Sequence, residues 1–99
     1  MGRPHMWRRV SLVPPVTQFR PVDMQADQIE EVRLLVEEAE AIRLNDLEGL
    51  DQEESAQRMS ISRSTFSRIL DSARHKIADA LLNGKAIRIE GGNFEMAVR

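Results

Sequence analysis

Cysteine is absent from this 99-residue sequence, and aromatic residues number only four. The lack of cysteine excludes disulfide bonds and thiolate metal sites, and it fits a reducing compartment. Four aromatic side chains are too few for the core of a large sandwich or barrel, so aliphatic packing between helices is favoured. No apolar run approaches the roughly 20 residues of a membrane span, and no signal peptide is recognisable. The composition predicts one cytoplasmic domain without membrane contact.

The charge of the chain is unevenly distributed, although the formal net charge is only −2. Residues 1–21 carry +4, residues 22–54 carry −10, and residues 55–88 carry +5. DNA responds to the local field within a Debye length, roughly 8–10 Å at physiological salt, more than to the distant total. Two basic segments that flank an acidic one are compatible with one face that binds DNA and another that repels it. The alternative is that these are ordinary solvated surface charges.

The ends of the chain have weak signals for regular structure. Residues 1–9 are expected to form a flexible basic arm, residues 10–92 a single domain, and residues 93–99 a loose tail. Within the domain, residues 16–20 form a strand candidate that Pro21 ends, and residues 86–90 alternate apolar and charged side chains. The two candidates are expected to pair as a small two-stranded element that joins the termini.

The acidic segment, residues 25–47, contains no glycine or proline. Its apolar residues recur at helical spacing, which indicates an amphipathic helix. Two interpretations stay open: one helix throughout, or a short helix or an extended stretch around residues 32–34 followed by a second helix from about Val36. Asp23 or Asp27 is the candidate N-cap, and Gly49 is the candidate terminator.

The second half of the chain has the pattern of a helix-turn-helix, with its core in residues 51–82. Residues 51–59 predict a short helix, and Ser62 is a good N-cap for a longer helix from residue 63 to about residue 82. Asn83-Gly84 is expected to end that longer helix. The motif needs a small residue where its helices cross and apolar residues on their facing sides. Ala56 supplies the small residue, while Met59 and Ile61 beside the turn and Phe66 and Ile69 on the second helix supply the packing.

The outward face of the second helix is the candidate DNA-binding surface. Arginine can donate two hydrogen bonds to guanine O6 and N7, and hydroxyl groups can reach bases or phosphates. The residues expected to point outward from this helix and to bind DNA are Arg63, Ser64, Thr65, Ser67 and Arg68, and of these Arg63, Ser64, Thr65 and Arg68 are expected to read base edges. Phosphate contacts are expected from Ser62, Arg58, Arg74, Lys76 and the arm residues Arg3, Arg8 and Arg9. The alternative for the side chains on the two helices is an ordinary solvated surface.

Residues 44–56 and 61–70 resemble the DNA-binding helix-turn-helix of sigma-factor region four. The whole chain is similar to a family of small prokaryotic proteins, domain of unknown function 134, described as predicted DNA-binding proteins. The matching pieces are Gly2-Arg3-Pro4 with Arg8-Arg9-Val10, residues 38–44, the two segments above and residues 83–92. The resemblance implies a winged or strand-flanked, sigma-like helix-turn-helix without a known target.

This sequence departs from the family pattern at three points. Ser60 occupies the turn position that usually holds glycine, so a residue other than glycine is expected in a left-handed conformation, at some energetic cost. Ser55 replaces the usual aliphatic residue and thins the core between the helices. The cysteines that many family members carry are absent, which argues against a metal-linked or redox role here.

The expected function is sequence-specific binding of double-stranded DNA in transcriptional regulation, with a mostly α fold. No enzyme, metal site or cofactor is expected, because the sequence has no phosphate-cradling glycine loop or cysteine nucleophile, and its paired acids diverge on helices. A homodimer is expected, since two half-sites multiply specificity, with either the acidic helix or the terminal strands as its interface. The alternative function is a protein-interaction module whose acidic helix docks on RNA polymerase. The operator, the regulated genes, the sign of regulation and an effector do not follow from the sequence.

Overall fold

Helices occupy the middle of the chain, and strands lie on both sides of them. The computed structural model describes residues 7–97, and the elements named here are those of that part. The helices are α1 (Val36–Ile42), which continues into a π-helical turn (Arg43–Leu47), α2 (Gln52–Arg58) and α3 (Arg63–Asn83). The strands are β1 (Arg8–Val10), β2 (Gln18–Phe19), β3 (Glu31–Leu34), β4 (Ala86–Ile89) and β5 (Phe94–Met96), with a 3-10 turn at Ala26–Gln28. The expectation of a mostly α domain is confirmed.

The larger sheet has three strands in the order β2-β4-β3. Strand β4 runs antiparallel to β2, with Gln18 opposite Arg88, which confirms the predicted pairing of the two strand candidates. On its other edge β4 runs parallel to β3, with Val32 opposite Ile87. The expectation of a two-stranded element is therefore wrong in strand number. Because β3 covers the second edge of β4, that edge is not left with unpaired backbone groups.

Strand β3 also decides between the two interpretations of the acidic segment. The second interpretation is confirmed, since the chain is extended over Glu31–Leu34 and helix α1 begins at Val36. The backbone N–H of Leu35 donates to a carboxylate oxygen of Glu38 at 2.9 Å, which satisfies a donor at the helix start. The candidate caps Asp23 and Asp27 are wrong, because they lie well before this helix.

A second, two-stranded sheet joins the ends of the described chain. Strands β1 and β5 run parallel, and their register places Arg8 opposite Phe94 and Val10 opposite Met96. Val10 is completely buried. The predictions of a flexible arm through residue 9 and a loose tail from residue 93 are wrong where these strands lie. Arg3 and the Gly2-Arg3-Pro4 motif fall outside the described residues.

The core consists of two adjoining clusters of apolar side chains. One lies where α1, α2 and α3 meet, and its buried members are Ala41, Leu44, Ala56, Met59, Phe66 and Leu70. The other joins the strands to α1 and α3 through Val10, Leu34, Val36, Ala73 and Ile89. Full burial of a side chain such as Phe66 stabilises the fold by roughly 1.5–3 kcal/mol. The packing roles predicted for Ala56, Met59 and Phe66 are confirmed.

Two further positions behave as the sequence indicates. Gly49, at φ 80°, follows the π-helical turn, and Gly84, at φ 66°, ends α3 in the left-handed conformation that glycine accepts without a Cβ clash. No helix between residues 7 and 97 has both the length and the apolar character to cross a lipid bilayer.

Candidate nucleic-acid interface

Helices α2 and α3 are joined by a tight turn, residues 59–62, and both helices have side-chain N-caps. Asp51 accepts a hydrogen bond from the N–H of Glu54 at 2.8 Å, and Ser62 accepts one from the N–H of Thr65 at 3.1 Å. The predicted cap at Ser62 is therefore confirmed. Ser60 has φ 59°, so the expected left-handed residue is present. This conformation costs a residue other than glycine about 1–2 kcal/mol.

Strand β1 is attached directly to this turn. The backbone N–H of Arg9 donates to the carbonyl oxygen of Met59 at 2.9 Å. On the same side of the molecule, Arg8 lines a cavity together with Thr65 and Arg68. The structure thereby places the basic residues of β1 beside the first turns of α3, although 53 or more residues separate them in sequence.

The first two turns of α3 present a polar, basic surface. Arg63, Ser64, Ser67 and Arg68 line an open depression of about 570 Å³. Both arginines and Ser64 are exposed, and Ser67 is half-buried. Spacings of three and four residues make these side chains neighbours on the helix surface. The structure therefore brings four of the five residues that were predicted to point outward from this helix to one surface.

Gln52, the first residue of α2, lines the same depression and was not identified from the sequence. Its amide can donate and accept hydrogen bonds, which suits a base edge or a phosphate. The sequence signal that could have identified Gln52 was its position directly after the Asp51 cap, because the first residue of α2 lies near the start of α3. Thr65 is half-buried at the edge of the surface, where its hydroxyl accepts a hydrogen bond from the Ser62 hydroxyl at 2.9 Å.

Arg63 and Arg68 have neither a hydrogen bond nor an ion pair to any residue in the described part of the chain. Most other described cations do have acidic partners, namely Arg33, Arg43, Arg58, Arg74, Lys76, Lys85 and Arg88. A guanidinium carries five N–H donors in a planar fork. The two arginines at the start of α3 therefore keep their donors available for a ligand.

Two cations further along α3, Arg74 and Lys76, donate hydrogen bonds to other residues of the same chain. Arg74 donates to Asp46 at 2.6 Å and to the side-chain oxygen of Asn45 at 3.0 Å. The hydrogen bond to Asp46 raises the pKa of the Arg74 guanidinium above its already high ordinary value. Lys76 donates to a carboxylate oxygen of Glu38 at 2.8 Å and to the Arg33 carbonyl at 2.9 Å. Their predicted phosphate contacts stay predictions, and the interface proposed below omits both residues.

Arg58 pairs with Glu54 one helical turn earlier, at 3.3 Å, and both side chains are about half exposed. Exposed pairs of this kind contribute only about 0–1 kcal/mol, so the pair opens readily when a stronger partner is present. A phosphate contact of Arg58 from α2 therefore stays a prediction that is compatible with the structure.

The glutamates of α1 are buried, so this helix does not present the acidic surface that its sequence indicates. Glu38 accepts hydrogen bonds from Ser72 at 2.6 Å and from Lys76, which ties α1 to the middle of α3. Glu40 accepts two hydrogen bonds from Arg43, both at 2.9 Å, and this contact raises the pKa of the arginine. Glu37 is also buried and accepts a hydrogen bond from the N–H of Asn93 at 3.3 Å. These carboxylates position helices and strands.

Within residues 7–97, no group of three or more histidine or acidic side chains is arranged to hold a metal ion. His75 is exposed on α3.

Comparison of the sequence with known proteins finds one family, whose function is unknown. Residues 1–97 match the family model described as protein of unknown function DUF134. A UPF0251 protein of Caldanaerobacter subterraneus subsp. tengcongensis is 62% identical over 96 residues, which cover 97% of this chain and 81% of that protein. A UPF0251 protein of Desulforudis audaxviator is 58% identical over 99 residues, which cover all of this chain and 65% of that protein.

A UPF0251 protein of Moorella thermoacetica is also 58% identical over 96 residues, covering 97% of this chain. The chain spans about two thirds of the length of the Desulforudis and Moorella relatives. No solved structure matches the chain.

Proposed function

The chain belongs to the DUF134 family, and from the geometry of its own surface we propose that it is a sequence-specific DNA-binding protein that regulates transcription. In this proposal α2, the turn and α3 act as a helix-turn-helix related to that of sigma-factor region four. The first turns of α3 enter the major groove of double-stranded DNA, as the second helix of such motifs does.

One observation carries the proposal: two arginines without acidic partners in the described chain lie on one exposed surface at the N-terminal end of a long helix. An arginine that lies near an acidic side chain is expected to form an ion pair with it, as Arg58, Arg74 and Arg88 do. Around Arg63 and Arg68 the described neighbours on the depression are Gln52 and two serines instead. A basic surface lined by short hydroxyls and an amide has the chemistry of base-edge recognition.

The contact proposed for each side chain follows from its length and its hydrogen-bonding groups. Arg63 and Arg68 donate paired hydrogen bonds to guanine O6 and N7, and Ser64 and Ser67 contact bases or phosphates. Gln52 contacts the base or the phosphate that lies nearest to the start of α2. The free N–H groups at the start of α3 and the positive end of its dipole favour a phosphate. Each good bidentate contact discriminates against a wrong base by about 1–3 kcal/mol.

The basic residues of β1 extend this surface along the DNA. Arg9 is exposed, and its backbone is held to the turn at Met59. In the proposal Arg8 and Arg9 contact the phosphates that flank the major-groove site, or the adjacent minor groove, as basic arms do. Ser62 serves mainly as the N-cap of α3, which sets the direction of the helix that enters the groove.

The alternative function, a module that docks on RNA polymerase through its acidic helix, has no supporting observation comparable to the two arginines that lack acidic partners in the described chain. It relied on α1 as an acidic contact surface, and Glu37, Glu38 and Glu40 are each at most 4% exposed. A contact with RNA polymerase through this helix stays a prediction without support from its surface.

The experiment is fluorescence-anisotropy binding to a pool of random-sequence duplexes, titrated from low to moderate salt, with sequencing of the bound fraction. We expect enrichment of a short motif and a linear decrease of log affinity with log salt, with a slope of about −0.9 per neutralised phosphate. The double variant Arg63→Ala, Arg68→Ala should lose the enrichment and at least tenfold in affinity.

The matched control is Arg33→Ala, Arg88→Ala, which removes the same charge from the three-stranded sheet. This variant should keep the enriched motif and nearly the same salt slope. The proposal is overturned if wild type does not bind at low salt, or if both double variants lose affinity equally. Equal losses would indicate a response to net charge and not to a defined surface.

A further inference from the structure

The C-terminal end of α3 carries an exposed apolar surface at the opposite end of the helix from the proposed DNA-binding residues. Ala78, Leu81 and Leu82 are all exposed, and their spacing of three and four residues makes them neighbours on the helix. Leu81 and Leu82 keep 77% and 78% of their surface exposed. Solvent-facing positions of a soluble helix are normally polar, so two adjacent exposed leucines indicate a missing partner.

The apolar surface continues from the helix onto the neighbouring strand and loop. Phe19 and Leu81 line one groove of about 380 Å³ beside Ile77 and Ile87. A second groove of about 300 Å³, lined by apolar side chains, shares Phe19, Ile77 and Ile87 with the first. Val22, in the loop that follows Phe19, is 96% exposed. The exposed Leu81 side chain therefore lies directly beside an apolar hollow.

We propose that this surface, defined by Phe19, Val22, Ala78, Leu81 and Leu82, is the interface of a homodimer. Two copies of α3 cross antiparallel at Ala78 about a twofold axis, and the leucines of each copy pack into the apolar hollows of the other. A second copy fits because the surface contains both knobs and hollows, and a twofold interface must be self-complementary. The small Ala78 side chain lets two helix axes approach to the usual 8–10 Å.

The size of the surface suits the core of such an interface. Its five side chains form an exposed apolar patch on the order of 500 Å², the scale at which patches mark interaction sites. A standard interface buries about 800 Å² per partner, with a polar rim around the apolar core. Arg20, Asp23 and Lys85 line the same groove and supply such a rim with both signs of charge.

This interface differs from both interfaces expected from the sequence. The acids of α1 are buried, and β1 and β5 already pair with each other within one chain. The apolar surface was not evident from the sequence, because Leu81 has the spacing of a core residue of α3.

The test uses sedimentation velocity without DNA, so that its result is independent of the proposed function. Wild type should sediment at twice the chain mass of 11.3 kDa at micromolar concentration. Leu81→Glu should weaken the dimer at least tenfold while the helical circular dichroism stays unchanged. Leu47→Glu is the matched control, since Leu47 is also 77% exposed but lies in the π-helical turn. It should leave the dimer intact.

Cross-linking provides a second measurement, because the chain has no cysteine of its own. An Ala78→Cys variant should be captured as a covalent dimer by a short bis-maleimide, and a Leu47→Cys variant should not. A monomeric wild type at about 100 µM, or equal behaviour of the position 81 and position 47 glutamate variants, would overturn the interface. A dimer that binds no DNA would keep the interface and overturn the proposed function instead.

Discussion

Replacement of Lys76 by methionine tests whether this cation is a structural partner of α1. Its ammonium lies 2.8 Å from the carboxylate of Glu38, whose side chain is 5% exposed. Removing one partner of a fully buried ion pair costs about 3–5 kcal/mol. Lys76 is 30% exposed, and Glu38 keeps its hydrogen bonds from Ser72 and from the Leu35 N–H. We therefore expect a loss of about 2 kcal/mol, in the range for a hydrogen bond to a charged group.

The assay is urea denaturation followed by circular dichroism, with a thermal melt as a second measurement. A loss of about 2 kcal/mol should lower the Tm by about 10 °C in a domain of this size. The control is Arg58→Met, which removes a cation from an exposed pair with Glu54 and should cost less than about 1 kcal/mol. Equal losses in the two variants would refute the reasoning from burial. The Lys76→Met variant should also keep the salt slope of DNA binding, since Lys76 lies outside the proposed interface.

Three further predictions concern the turn and the two ends of α3. Ser60→Gly should stabilise the domain by about 0.5–1 kcal/mol in a thermal melt, because relief of left-handed strain exceeds the added entropy of the unfolded chain; a lower Tm would contradict it. Ser62→Ala should cost about 1 kcal/mol through loss of the N-cap, and no change would contradict the cap geometry. Hydrogen bonds from Asn83 and Lys85 hold the pKa of Asp79 below its ordinary 3.8. Asp79 therefore stabilises the fold above about pH 4 and less as the pH falls through its lower folded-state pKa. The stability difference from Asp79→Asn should shrink in acid, and a constant difference would contradict this linkage.

Local features of the helices could be predicted because they depend on a few neighbouring residues. The Ser62 cap, the left-handed Ser60 and the end of α3 at Gly84 each follow from the preferences of one or two side chains. The pairing of β2 with β4 was also predictable, since proline and glycine bound both strand candidates.

Features that depend on distant partners were missed or left open. The spacing of the apolar residues alone did not exclude a helix over residues 31–34. These residues form a strand because they pair with an edge of β4 that β2 does not cover. Strand β5 forms because β1 lies beside it, so its three residues carry little signal of their own. The acidic residues of α1 look solvated in sequence, yet Glu38 and Glu40 become buried because cations from α3 and from the following turn reach them.

The sequence by itself determined the order of the helices, the turn between α2 and α3, and the basic side chains at the start of α3. These properties are local, since hydrogen bonds and steric limits within a few residues set them. Only the tertiary structure decided which cations stay unpaired, because the acids that pair with Arg33, Arg74, Lys76 and Arg88 are distant in sequence. It likewise decided that Leu81 faces solvent beside Phe19, since the core was filled by other positions of the same helix. The candidate DNA surface and the proposed dimer interface both depend on those long-range choices.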